Sequence, residues 1–100
     1  MGKHKVKILP KAQEDMLEIV DYLNSLSEAA ALRYYDLIVE KISSLSDMPE
    51  RCPIARDTQL RLRGYRYLVV EKYLVFFVVI GNTVQIRRIL YGRRQYGELL

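Results

Sequence analysis

One hundred residues, half of them hydrophobic and 28% charged, suit a single domain over residues 1–100 with one core, and exclude a disordered chain. The longest apolar run, residues 74–80, is seven long, against the roughly 20 that a membrane helix needs. Net charge is +4 but uneven: residues 1–50 hold six Lys/Arg against nine acids, residues 51–100 hold ten against three, and nine of those ten are arginine.

The start, "MGKHKVKILPK", lacks the apolar stretch of a secretory signal and has no Ser or Thr at position 6 for myristoylation. Cys52 and His4 are each the only residue of their kind, which excludes an internal disulfide and a cysteine-based zinc site. The expectation is a cytoplasmic protein with no metal, no cofactor and no membrane partner. An arginine-rich half predicts an anionic partner, because the planar guanidinium pairs with phosphate and carboxylate through two parallel hydrogen bonds.

Lys5 and Lys7 alternate with Val6 and Ile8, the two-residue period of a half-buried strand. Pro10 ends it and suits the first turn of a helix. From there Ala12, Met16, Ile19, Leu23 and Leu26 recur at spacings of 4, 3, 4 and 3, while Glu14, Asp15, Glu18 and Asp21 fall outside this stripe and read as a solvated face. Ser27 predicts the N-cap of a second helix, with the stripe Ala31, Tyr35, Ile38, Ile42 and Leu45 and a stop at Asp47-Met48-Pro49. The two helices read as an antiparallel hairpin.

Residues 49–59, with two prolines and no periodicity, read as a loop. Three strand-like segments follow. Glu71-Lys72 is the turn between the first two, and Gly81-Asn82 suits a two-residue hairpin into the third. The middle segment is apolar at successive positions, as a central strand covered on both faces would be. The order is β-αα-βββ with a short C-terminal tail, an α+β fold in which a helical hairpin covers an antiparallel-rich sheet. Which neighbour the first strand takes is left open.

Unbroken alternation in the last strand puts Val84, Ile86, Arg88 and Leu90 on one face and Gln85, Arg87, Ile89 and Tyr91 on the other. The first set looks core-facing, which leaves Arg87 and Tyr91 on the face away from the helices. Arg88 does not fit a core face, so it requires the sheet's end or a bulge. Arg61, Arg63, Arg66, Arg87, Arg93 and Arg94, with Tyr65, Tyr91 and Tyr96 between them, form a candidate basic surface for a nucleic-acid chain or an acidic protein. Packed tyrosines and solubilising arginines would look the same in sequence.

Cleaving RNA through its 2′-OH needs a base, an acid and a stabiliser of the charged phosphorane. Arginine supplies the last; Tyr91 or Tyr96 could serve as acid and Glu98 as base. No Ser-His-Asp, Cys-His, paired-carboxylate or glycine-rich phosphate-loop pattern is present.

The segments "ILPKAQEDMLEIVDYL", "ISSLSDMP", "YRYLVVEKYLVFFVV" and "VQIRRILYGRRQY" together resemble the RelE/ParE superfamily, the toxins of bacterial type II toxin–antitoxin (plasmid stabilisation) modules. The resemblance runs from Ile8 to Tyr96. Its most specific pieces are residues 88–94 and the P-x-A-x-x-D pattern of Pro10, Ala12 and Asp15. It implies growth arrest by this chain until a cognate antitoxin neutralises it. It also implies one of two targets, DNA gyrase for ParE-like members or ribosome-bound mRNA for RelE-like endonucleases.

For a nuclease the resemblance implies Arg66, Arg87, Arg94 and Tyr91 as catalytic residues. Yet Leu74 stands where RelE-like enzymes carry arginine, Leu68 stands in place of a lysine, and Tyr91 stands where many relatives have histidine. The long hairpin is also ParE-like. The expectation is therefore a gyrase-directed toxin, with an mRNA endonuclease and an inactive antitoxin-binding module as alternatives. The assembly is left between a homodimer and a toxin–antitoxin heterotetramer.

Overall fold

The computed structural model describes residues 3–92. Arg93, Arg94, Tyr96 and Glu98 lie outside the described residues. Strand β1 is Lys5–Ile8, helix α1 Pro10–Leu26 and helix α2 Glu28–Ser43; after two single 3-10 turns, Ser44–Ser46 and Pro49–Arg51, come a short helix α3, Thr58–Leu62, and strands β2 Arg66–Val70, β3 Tyr73–Ile80 and β4 Thr83–Tyr91. The sheet order is β1-β4-β3-β2. β1 is parallel to β4 and the other pairs are antiparallel.

Pro10 occupies the first turn of α1, where its missing N–H costs no helical hydrogen bond. One extended residue, Ser27, separates the two helices: its N–H donates to the Leu23 carbonyl and its hydroxyl accepts from Ala30 N. The same residue closes α1 and opens α2. Along α2 the buried positions are Ala31, Ile38 and Ile42, joined by a half-buried Tyr34, whose ring packs edge-on against Tyr73 at 6.1 Å. Tyr35, expected in the stripe, is exposed, and so is Leu26 at the hairpin tip. The rest of the stripe is buried as expected, and only at this turn does Tyr34 rather than Tyr35 reach the sheet.

β3 is apolar on both faces because both are covered. On the helix side, Val75 and Phe77 pack with Val84, Ile86, Ile89, Ile38 and Ile42. On the far side, Phe76 and Val78 pack with Leu60, Tyr65, Ala55 and Leu90. The expected loop over residues 49–59 therefore runs into structure. Asp57 caps α3 by accepting from Leu60 N at 3.1 Å, and α3 lays Leu60 on the far side of the sheet. This places Arg61 on a helix and Arg63 at its C-cap rather than on an approach to a strand.

Ser27→Ala removes the hydroxyl that caps α2 while keeping the N–H that closes α1, and is expected to lower unfolding free energy by about 1 kcal/mol, read from urea denaturation, with the denaturant slope unchanged.

Candidate functional site

The site residues are set by a bulge in β4. Opposite Phe76 stands Arg88, whereas opposite the next residue, Phe77, stands Ile86, so Arg87 is the extra residue in the ladder. The irregularity reverses the alternation from there on. Ile89 joins the helix-side core and Leu90 the far side. Tyr91 turns toward the helices and packs edge-on against Tyr73 at 6.0 Å. It does not lie on the face away from the helices, as unbroken alternation expects. Arg87 stays on the far face, with its Cζ 5.9 Å from the Tyr65 ring centroid.

Arg88 is drawn the other way, to α1. Its Nε and Nη2 donate to the Asp15 carboxylate at 2.7 and 3.0 Å, and the same carboxylate accepts the Ile89 N–H at 2.9 Å. Asp15, assigned above to a solvated face, is 7% exposed. The hydrogen bonds to Asp15 are the largest influence on the Arg88 guanidinium and raise its pKa, against burial, which lowers it. A sequence signal for this was available: Ala12 and Asp15, three apart, share a helix face, and Ala12 is fully buried.

Two surfaces result. On the far face, the buried Tyr65 ring lies under two guanidinium groups, Arg63 at 5.3 Å and Arg87 at 5.9 Å. Arg87 is oriented from a second side by Gln85, whose Oε1 accepts from its Nε and Nη2 at 3.2 and 2.9 Å. Arg66 is committed elsewhere: its Nη1 donates to the Cys52 and Glu50 carbonyls at 2.7 and 3.2 Å, tying the loop to the edge strand. Arg61 is exposed on α3. The structure thus brings Arg63, Tyr65 and Arg87 together, gives Arg66 a structural task, and places Tyr91 on the opposite face.

On the helix side, a groove of about 550 Å³ opens between α1 and the ends of β3 and β4. Leu23, Leu26, Tyr22, Tyr34, Tyr73 and Tyr91 form half of its lining, and Glu18 and Lys72 are its charged members beside Asp15. Burial, and then the neighbouring phenols of Tyr34, Tyr22 and Tyr91, push the Tyr73 hydroxyl above its ordinary pKa.

A family model described as the ParE toxin of the type II toxin–antitoxin system parDE matches residues 6–96. The chain belongs to the ParE toxin family. Among solved structures it is similar to a chain of the chromosomal ParDE toxin–antitoxin system from P. aeruginosa, at 26% identity and a TM-score of 0.76, covering 89% of this chain and 96% of that one. A chain of the RelBE2 toxin–antitoxin complex from Mycobacterium tuberculosis shares the fold, at 20% identity and a TM-score of 0.66, covering 89% of this chain and 98% of that one. No curated protein matches the chain. This toxin has the β-αα-βββ order and α+β class expected from its sequence, with α3 added. Among the described residues no helix is long and apolar enough to cross a membrane.

Asp15→Ala would leave the buried Ile89 N–H without its acceptor and take the carboxylate from the half-buried Arg88, and is expected to cost about 3 kcal/mol in denaturant unfolding. Replacing both partners, Asp15→Leu with Arg88→Met, should recover part of that loss. Because the folded state raises the Tyr73 pKa, its contribution to stability is complete below the unfolded tyrosine value of about 10 and falls as pH rises beyond it. Tyr73→Phe should flatten that alkaline decline in thermal melts across the same window.

Proposed function

We propose that this ParE-family toxin arrests growth in the cytoplasm by acting on DNA gyrase, and that a cognate antitoxin holds it inactive. One observation carries the choice of target: the β4 bulge separates Arg87 from Tyr91 on opposite faces of the sheet. An in-line attack on a phosphodiester needs the cation and the proton donor around one phosphorus atom, and two sides of a sheet do not supply that. Arg66 is held by loop carbonyls. Leu74 itself supplies no charge from β3; the hollow it lines with Leu60, Tyr67 and Phe76 draws its cation, Arg56, from the loop before α3, next to the Asp57 carboxylate. His4, whose N–H donates to the Ser46 carbonyl, stands just before β1, where Lys5 pairs with Thr83, roughly 15 Å along the sheet from Arg87 at ordinary strand rise.

The antitoxin reading is supported by the solved relatives, both from toxin–antitoxin systems, and by the groove. Tyr22, Leu26 and Tyr91 stand exposed around it, and an apolar segment of the antitoxin filling it would cover them.

Inducing the toxin alone should raise the DNA-damage response before protein synthesis falls, and the purified chain should inhibit gyrase supercoiling. Prompt mRNA cuts at ribosomal A sites, lost in Arg87→Ala, would replace gyrase by the ribosome as target. No growth effect at all would leave an antitoxin-binding module.

A further inference from the structure

The far face holds a cation with no counter-charge among the described residues. Arg87 is half-buried, and its contacts among the described residues are the neutral Gln85 amide and the Tyr65 ring; it makes no ion pair there. A guanidinium withdrawn from water without a counter-charge is unfavourable, and here it is also fixed in direction by a bidentate hydrogen bond and an aromatic ring. We infer that Arg87, set by Gln85 and Tyr65, is a binding site for a phosphodiester of a nucleic-acid strand. This names a ligand for the basic face and does not rest on gyrase being the target.

Three features favour nucleic acid over an acidic protein. The cation beside it is an arginine, Arg63 over the same ring, and the segment that covers this face adds Arg56, lining a hollow with Leu60 and Phe76, and Arg61, exposed on α3. The carboxylate in that segment, Asp57, is occupied in capping α3. Tyr65 is only 3% exposed, so neither a base nor an apolar side chain can reach its ring, and recognition is left to charge and hydrogen bonds. That is the chemistry of backbone contacts, which hold a nucleic acid without reading its sequence.

The test is fluorescence anisotropy of the full chain with short labelled oligonucleotides, single-stranded and duplex, over a range of salt. Wild type should bind with an affinity that falls as salt rises. Arg87→Gln should weaken binding about 10-fold at low salt and reduce the slope against log salt by about one. Gln85→Glu, which keeps Arg87 but gives it a carboxylate, should weaken binding comparably while melting like wild type. Arg33→Gln, on α2 beside Tyr34, should leave binding unchanged. Wild-type binding by both Arg87→Gln and Gln85→Glu would overturn the assignment. So would polyglutamate displacing the oligonucleotide as well as an equal charge of polyphosphate, an outcome that would assign the face to an acidic protein.

Discussion

A single carboxylate, that of Asp15, completes the sheet where its strands run out. β1 accompanies β4 only as far as Ile86, and the last main-chain bond between them runs from Leu9 N–H to the Ile86 carbonyl. Beyond that point α1 lies against β4 instead of a strand. Asp15 reaches down from the second turn of α1 to accept the Ile89 N–H and to neutralise Arg88. One side chain thus replaces a missing strand partner, balances a buried charge and anchors the helical hairpin. Asp15 holds Arg88 toward the helices, and Arg87 is left on the other side of the sheet, where its partners among the described residues are neutral.

The division of the surface follows. A thin sheet with a strand apolar on both faces must be covered on both, and this chain does so unequally. The long hairpin covers one side and leaves a tyrosine-lined groove at its end; a five-residue helix and a loop cover the other and leave arginines around a buried ring. The two surfaces differ in chemistry, apolar against cationic. They also face opposite ways, so an occupant of one does not sterically exclude an occupant of the other.

The periodicities of the hairpin, the two tight turns and the two-sided central strand were legible because each is a local pattern with a local cause. Ser27 at its cap and the Gly81-Asn82 turn are of this kind. What was not legible depends on contacts distant in sequence. The spacing of Asp15 from Ala12 hints that it faces inward, but its partner, Arg88, lies 73 residues later and no local pattern points to it. The bulge inverted the faces of Ile89, Leu90 and Tyr91, and only Arg88 in an otherwise apolar register hinted at it. α3 is too short to show a period, so nothing in the sequence put Arg61 on a helix or Arg63 at its end. Tyr34 and Tyr35 are adjacent and chemically identical, and only the rotation of α2 against the sheet chooses between them.

The pairing of β1 with β4 also bears on how the molecule comes to exist. Lys5 stands beside Thr83 in the ladder, so nearly the whole chain must be synthesised before the first strand finds its partner. The same holds for Asp15 and Arg88. Contacts so far apart in sequence close large loops before any gain is realised, which slows folding relative to a locally connected fold. Until β4 emerges, the hairpin has no completed sheet to cover, and its apolar stripe is open to whatever meets it first. A toxin wired in this way becomes competent late in its own synthesis, and a partner that recognises the hairpin has that interval in which to engage it.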